Sequence, residues 1–300
     1  MRRANCASAT AGWSTPSSTR RWKTSRQDGG AAGETRHHGS SRHHRRGHRA
    51  GRRRGRPGPG TGHAAENFCS GAWRLGGGWI WKLTADGLRQ KGHRVFTPTQ
   101  TGLGERRRLM ARTISIDTFV DDIAGVLEAE ELTDVILVGH SFGGFAVTGV
   151  ADRMPERIRH LVYLDALLPE NGETAFSILP PGIEAARRQT VNEQGGGVAL
   201  PVPPLSAFPL PDDIKQWFGR RLAPHPFGTY DTPIRLKAAP GAGRPVTYVS
   251  YTNPALASIE PSRVRARAKQ GPNWRFMELD VPHDAQAAVP ARIIALLEGM

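Results

Sequence analysis

Gly139-His-Ser-Phe-Gly143 sets one serine between two glycines in the spacing G-x-S-x-G. The chemistry this spacing serves is nucleophilic attack by a hydroxyl. A serine reaches the tip of a sharp strand-to-helix turn only if the residues two before and two after it are very small, because the two backbones nearly touch there. Gly139 and Gly143 meet that demand, and Gly144 adds clearance. Ser141 then stands at the apex, beside the free N–H groups and positive dipole end of the next helix, which favour a developing anion. A serine hydroxyl stays a weak nucleophile until a base takes its proton. Past residue 225 the chain holds one histidine, His283 in Val-Pro-His-Asp284, and it is the candidate base.

These residues need a scaffold, and the flanking sequence predicts one. Asp134-Val-Ile-Leu-Val138 contains an apolar run of strand length, as in a strand covered on both faces. A helix follows the glycines to about Arg153, so the motif has a strand before it and a helix after it. Ile158–Leu164 reads as the next buried strand. Upstream, residues 81–90 read as a helix with Leu83 and Leu88 inward, and residues 93–98 as a short strand ending at a proline. Residues 118–129 form an amphipathic helix on Phe119, Ile123 and Val126/Leu127, with Asp117 or Thr118 placed to cap it. Downstream come a strand at 245–251, a helix at 261–269, a strand at Trp274–Leu279 and a closing helix at Pro290–Glu298. Such alternation predicts an α/β fold, a mostly parallel sheet with helices on both faces.

Residues 167–243 interrupt the alternation. They are rich in proline and glycine, with short helical pieces at 183–188 and 212–221, and are expected to cap the serine. Phe176, Leu179, Phe208, Trp217 and Phe227 are available there, either to line an apolar pocket or to pack the cap itself.

The formal charge of +14 suggests a nucleic-acid binder until it is located. Residues 1–66 hold 15 Lys+Arg and 3 Asp+Glu, a net of +12, which leaves residues 67–300 near neutral. The same segment contains no Val, Ile, Leu or Phe, so it has nothing to bury and is expected to be disordered. Its Arg52-Arg53-Arg54 run and Trp13 and Trp22 match no nucleic-acid motif. The histidines at 37, 38, 43, 44 and 48 lack cysteine partners at zinc spacing. Two cysteines, Cys6 and Cys69, make no disulfide framework. No apolar run approaches the ~20 residues of a membrane-spanning helix. Neither a phosphate loop, a dinucleotide fingerprint nor a metal cluster is present, so no cofactor or metal is expected.

From about Trp79 to the end the chain resembles α/β-hydrolase-fold esterases, in the group that includes plant methylesterases, hydroxynitrile lyases and related bacterial esterases. The resemblance lies in Gly78-Trp-Ile-Trp81, Gly92-His-Arg-Val95, Thr101-Gly-Leu-Gly-Glu105, Val138-Gly-His-Ser-Phe-Gly-Gly144, Val162-Tyr-Leu-Asp-Ala166 and His283-Asp284, with serine before a late histidine. It implies an α/β-hydrolase domain over 67–300 that cleaves small or aromatic carboxylic esters through an acyl-serine, with the Phe142 N–H as one oxyanion donor. A cytoplasmic protein is expected, with a small-molecule ester as partner, no specific nucleic acid and no membrane; the oligomeric state stays open.

Three departures accompany the resemblance. The family's acid usually follows the strand that here ends at Tyr251, but Asn253 stands in its place. Some α/β-hydrolases take the acid from the preceding strand end, where Asp165 sits, with Glu260 as the other candidate. Secondly, the family's first strand runs Phe-Val-Leu-Val-(His/Pro)-Gly-Ala-Trp, and this chain offers Asn67-Phe-Cys-Ser-Gly-Ala-Trp73 with two surplus residues before Trp79. Ala72 then supplies the second oxyanion N–H. Codons compatible with residues 67–75, read one nucleotide later, can spell Thr-Phe-Val-Leu-Val-Pro-Gly-Ala-Trp. A reading-frame shift upstream of about Gly77 is therefore expected, with the first strands missing or garbled and catalysis impaired. Thirdly, the lysine that lyases of this family place beside the acid is absent from Thr252-Asn-Pro254. The rival to an esterase is a catalytically impaired hydrolase-like protein whose basic tail binds polyanions; a hydroxynitrile lyase ranks behind both.

Overall fold

The computed structural model describes residues 65–71, 74–269 and 271–300, so the expectations for the basic segment and for Ala72 lie outside the described residues. Along the chain come β1 (Asn67–Gly71), α1 (Lys82–Gln90), β2 (Arg94–Phe96), α2 (Ile116–Ala129), β3 (Val135–His140), α3 (Gly143–Arg153) and β4 (Ile158–Leu164). The insertion contributes α4 (Ile183–Gln194), β5 (Ala199–Leu200), α5 (Asp212–Gly219), β6 (His225–Pro226) and α6 (Gly228–Asp231). The chain ends with β7 (Val246–Tyr251), α7 (Glu260–Ala268), β8 (Trp274–Leu279), α8 (Ala285–Ala288) and α9 (Pro290–Glu298).

Six strands pair in the order β2-β1-β3-β4-β7-β8, every neighbouring pair parallel, while β5 and β6 form a small antiparallel ladder. All six residues of β3 are buried, which is why Val135–Val138 are continuously apolar. Alternate residues feed opposite cores: Val135 and Leu137 join Phe119 and Ile123 of α2, whereas Ile136 and Val138 join Leu88 of α1 and Ile293 and Leu297 of α9. Among the described residues no helix is long and apolar enough to cross a membrane.

The expected loss of the first strand is overturned for residues 67–71. β1 lies between β2 and β3, with Ser70 opposite Val138 and Gly71 opposite Gly139. The ladder is built from backbone groups, so it asks little of side-chain identity beyond an apolar residue toward each core. Phe68 meets that need on one face and Cys69 on the other. Two finer expectations also fail. Leu83 is 44% exposed, because the buried face of α1 runs through Thr84, Ala85 and Leu88. The cap of α2 is Ser115 rather than Asp117 or Thr118. Its extended backbone leads into the helix, its hydroxyl accepts the Thr118 N–H, and the Thr118 hydroxyl accepts the Ser115 N–H.

Space around the serine turn is tight. A Cβ at Gly144 would lie 2.0 Å from the Leu167 carbonyl oxygen, and one at Gly139 would lie 2.4 Å from Val147 Cγ2. Gly125 on exposed α2 has open space around its Cα. Gly144→Ala should therefore destabilise the fold by about 1–3 kcal/mol or more, whereas Gly125→Ala should stabilise it by up to about 1 kcal/mol. Thermal unfolding of both variants checks this: the melting temperature moves down for the first and up for the second.

Candidate active site

The sheet brings three chain segments to its carboxyl edge. After β3, Ser141 takes φ +54°, a left-handed conformation that a non-glycine residue holds only when its surroundings fix it. They do: the Ser141 N–H donates to the Leu164 carbonyl at 3.3 Å, and the Ser141 carbonyl accepts the Leu167 N–H at 2.9 Å. One strand over, Asp165 follows β4 with φ +44° and donates its N–H to the Val249 carbonyl at 2.7 Å. The third segment is the loop between β8 and α8, which carries His283.

The imidazole of His283 joins the other two. Its Nδ1–H donates to Asp165 Oδ2 at 2.6 Å, and its Nε2 accepts from Ser141 Oγ at 2.9 Å. The carboxylate can only accept, which fixes the tautomer and leaves Nε2 free to take the serine proton. Ser141, Asp165 and His283 are all buried. Asp165 accepts three further bonds, from the Tyr251 N–H at 3.3 Å and from Arg263 Nε and Nη2 at 3.0 and 3.4 Å. Burial alone would raise this carboxyl, but the hydrogen bonds and charges of His283 and Arg263 outweigh it and hold Asp165 below the ordinary carboxylate range.

The two other acid positions lie elsewhere. Asn253 is exposed. Glu260 sits behind Arg263, accepting its Nη1–H at 2.8 Å, one partner further from the imidazole than Asp165. The Phe142 N–H, at the mouth of α3, has no acceptor among the described residues and is free for a ligand oxygen.

A contributor that sequence reasoning missed is His140, the second residue of the motif. Its Nε2–H donates to the carbonyl of His283 at 2.6 Å, and its Nδ1 accepts from the Gln286 amide at 3.0 Å. Burial, then the neighbouring His283, pushes its pKa well below the usual histidine value, so it is a neutral strut. It ties the end of β3 to the histidine loop with its ring 4.6 Å from that of His283. The only sequence signal was a polar residue where strand β3 is otherwise apolar.

Above the serine lies a cavity of about 140 Å³ bordered by Ser141, His283, Leu167, Leu179, Phe208 and Tyr230, among others. Of the five cap residues available to line a pocket, Leu179 and Phe208 border it. Phe176, Trp217 and Phe227 do not, because they pack on other rings: Phe176 lies 5.7 Å from Phe227 and 5.2 Å from Tyr230, and Trp217 lies 5.0 Å from Trp79. Three charged residues also border the cavity, Arg74, Arg187 and Asp284, of which the sequence singles out only Asp284, as the companion of His283. Asp284 is 3% exposed and its Oδ1 has no hydrogen-bond partner among the described residues. Burial pushes its carboxyl up to about 6 against the opposing pull of His283 and Arg74.

A buried serine–histidine–carboxylate chain at the carboxyl edge of a parallel sheet, under a cap, defines a hydrolase of the α/β type. Comparison with known proteins agrees. The alpha/beta hydrolase family matches residues 59–297. A carbendazim hydrolyzing esterase of Nocardioides sp. (strain SG-4G) is 37% identical over 239 residues, covering 77% of this chain and 96% of that protein. An alpha-hydroxynitrile lyase of Arabidopsis thaliana is 32% identical over 109 residues, 36% of this chain and 42% of the lyase. Among solved structures, an extracellular alpha/beta-hydrolase from a Paenibacillus species shares the fold at a TM-score of 0.68 and 23% identity, covering 77% of this chain and 97% of that one. The chain belongs to the alpha/beta hydrolase family, as an enzyme of the carboxylic ester hydrolase type.

The buried carboxyl of Asp284 carries a stability cost with a definite pH window. A folded pKa of about 6 against the 3.8 of a free aspartate means the folded state holds the proton more tightly. Its contribution is thus intact below about pH 4, is lost as pH rises through 6, and above that the penalty levels off at about 3 kcal/mol. Asp284→Asn should accordingly raise the melting temperature at pH 8, with the gain vanishing by pH 4. Thermal unfolding across that range measures it.

Proposed function

We infer that this chain is a serine esterase in which Ser141 is the nucleophile, His283 the general base and acid, and Asp165 the residue that orients the imidazole. The observation that carries the reading is the His283 ring, 2.6 Å from a carboxylate and 2.9 Å from the serine oxygen at once. Ser141 Oγ attacks the ester carbonyl carbon as its proton passes to His283 Nε2. The carbonyl oxygen becomes an oxyanion accepting the Phe142 N–H, and Ala72 is proposed as the second donor. Collapse expels the alcohol, which takes the proton from Nε2, and leaves an acyl-serine. Water then attacks the acyl carbon with its proton drawn to Nε2. A second collapse releases the acid and returns the proton to Ser141.

The cavity supports small or aromatic substrates. About 140 Å³ is comparable to a site that accepts one benzene-sized group, and much of its lining is apolar. The Nocardioides relative is described as hydrolysing carbendazim, so carbendazim is a substrate to test here alongside simple aryl esters.

A fluorophosphonate should label the purified full-length chain at Ser141, and Ser141→Ala should abolish both labelling and p-nitrophenyl acetate turnover. Asp165→Asn should lower kcat by roughly 10⁴-fold with the serine still present, while Glu260→Gln should cost far less. Labelling at another residue, or equal losses for the Asp165 and Glu260 variants, would overturn the assignment.

A further inference from the structure

His225, on β6 of the cap, is a fully buried histidine that takes no part in the serine–histidine–aspartate chain. Its two ring nitrogens have different partners, and one hydroxyl fixes their roles. The Thr229 hydroxyl donates to the Pro226 carbonyl at 2.7 Å, so toward His225 it can only accept, and Nε2–H donates to it at 2.9 Å. Nδ1 is left with a lone pair, which accepts the Leu75 N–H at 3.4 Å. Burial, then the positive charges of Arg74 and Arg187, push the pKa of His225 well below the usual histidine value. The ring therefore stays neutral and Nδ1 stays an acceptor.

Leu75 needs such support. Its φ of +67° is a left-handed conformation that a leucine holds only when its surroundings fix it. One stretch of the cap takes both its backbone polar groups, His225 the N–H and the Ala223 N–H, at 3.0 Å, the carbonyl. Leu75 follows Ala72, the proposed second oxyanion donor, by three residues. Gly71, just before Ala72, is held from the body of the fold: it pairs opposite Gly139, and its carbonyl accepts the Trp81 Nε1–H at 3.3 Å. The His225 ring also stands edge-on to that of Phe142, 4.7 Å away, and Phe142 follows Ser141 and carries the first donor. One side chain thus meets Phe142 itself and the chain that runs on from Ala72.

We propose that His225 is a positioning residue for the oxyanion site, its Nδ1 holding the chain after Ala72 and its ring holding Phe142. This rests on the serine esterase reading above and adds to it a cap residue on which the rate depends. Oxyanion donors act by standing in place before charge develops, so a displaced donor costs rate rather than substrate binding.

Asparagine and glutamine separate the two nitrogens, since an Asn amide reaches the place of Nδ1 and a Gln amide that of Nε2. His225→Asn keeps an acceptor for Leu75 and gives up Thr229; His225→Gln does the reverse. With p-nitrophenyl acetate, His225→Gln should lower kcat about tenfold or more with KM little changed, whereas His225→Asn should stay within about threefold of wild type. Trifluoroacetophenone gives a second reading. Ser141 Oγ bonds to its carbonyl carbon, the serine proton passes to His283 Nε2, and the carbonyl oxygen becomes an oxyanion in the same site. Its inhibition constant should rise in His225→Gln by the factor that kcat/KM falls. Hydrogen exchange at the Leu75 amide should quicken in His225→Gln and not in His225→Asn. Equal losses in the two variants, a loss in KM alone, or wild-type kcat in His225→Gln would overturn the proposal. If wild type turns over esters and is labelled by the fluorophosphonate at Ser141, such a failure touches His225 alone; absence of both in wild type removes the esterase reading and this proposal with it.

Discussion

One imidazole must meet two oxygens at once, and the site is arranged around that demand. His283 stands between Ser141 and Asp165, which follow adjacent parallel strands, while its own loop follows β8, at the edge of the sheet. Parallel pairing brings the carboxyl ends of β3 and β4 to the same side, so the serine and the carboxylate are neighbours by construction. The histidine is not. It is bound back across the sheet by His140, whose Nε2–H holds the carbonyl of His283 at 2.6 Å and whose other nitrogen takes the Gln286 amide. Residues 140 and 141 thus grip the histidine twice, once by its backbone and once by its ring.

Backbone strain is part of the same solution. Ser141 and Asp165 both occupy left-handed conformations directly after a strand, where the chain has to break out of the ladder at once. Each is fixed by hydrogen bonds to the neighbouring strand end, Ser141 to Leu164 and Asp165 to Val249. The glycines at 139 and 144 matter because the turn leaves no room for a Cβ toward Val147 or the Leu167 carbonyl. Sheet spacing, turn strain and small residues are therefore one constraint expressed in three ways.

Much of this was legible before any coordinates. The buried strand, the glycine-flanked serine and the sole late histidine are local or positional signals, and β4, β8 and α9 fall at the bounds that their apolar periodicity predicts. What depended on contacts between distant segments was harder to read. Asp165 could be ranked ahead of Glu260 only by its place at a strand end, because only the fold places Arg263 between Glu260 and the imidazole side of the network. Phe176 and Trp217 look like pocket residues by type, and the cap instead spends them on its own packing. β1 was underestimated for a different reason: its pairing lies in the backbone, and Phe68 and Cys69 supply enough apolar surface for a strand whose sequence departs from the resembling family. Arg187 gave no sequence signal, being an ordinary charged residue of α4, and Asp284 was legible only as the companion of His283.

The position of the acid has a chemical consequence. Asp165 shares its charge with Arg263, so its capacity to stabilise a charged imidazole is already partly committed. What remains undiminished is geometric: an acceptor at 2.6 Å that permits only one tautomer of His283. On the proposed mechanism the ion pair keeps a buried carboxylate ionised where burial alone would favour its protonation, and an ionised carboxylate is the form that holds the imidazole correctly. Asp284, one residue from His283 and with Arg74 nearby but with no partner for its Oδ1 among the described residues, shows the alternative: its carboxyl rises to about 6. The two aspartates are both buried at one site, and the difference between them is the set of hydrogen bonds that Asp165 accepts from His283, Arg263 and the Tyr251 N–H. That difference separates a carboxylate held ionised against a histidine from one that burial drives toward its protonated form.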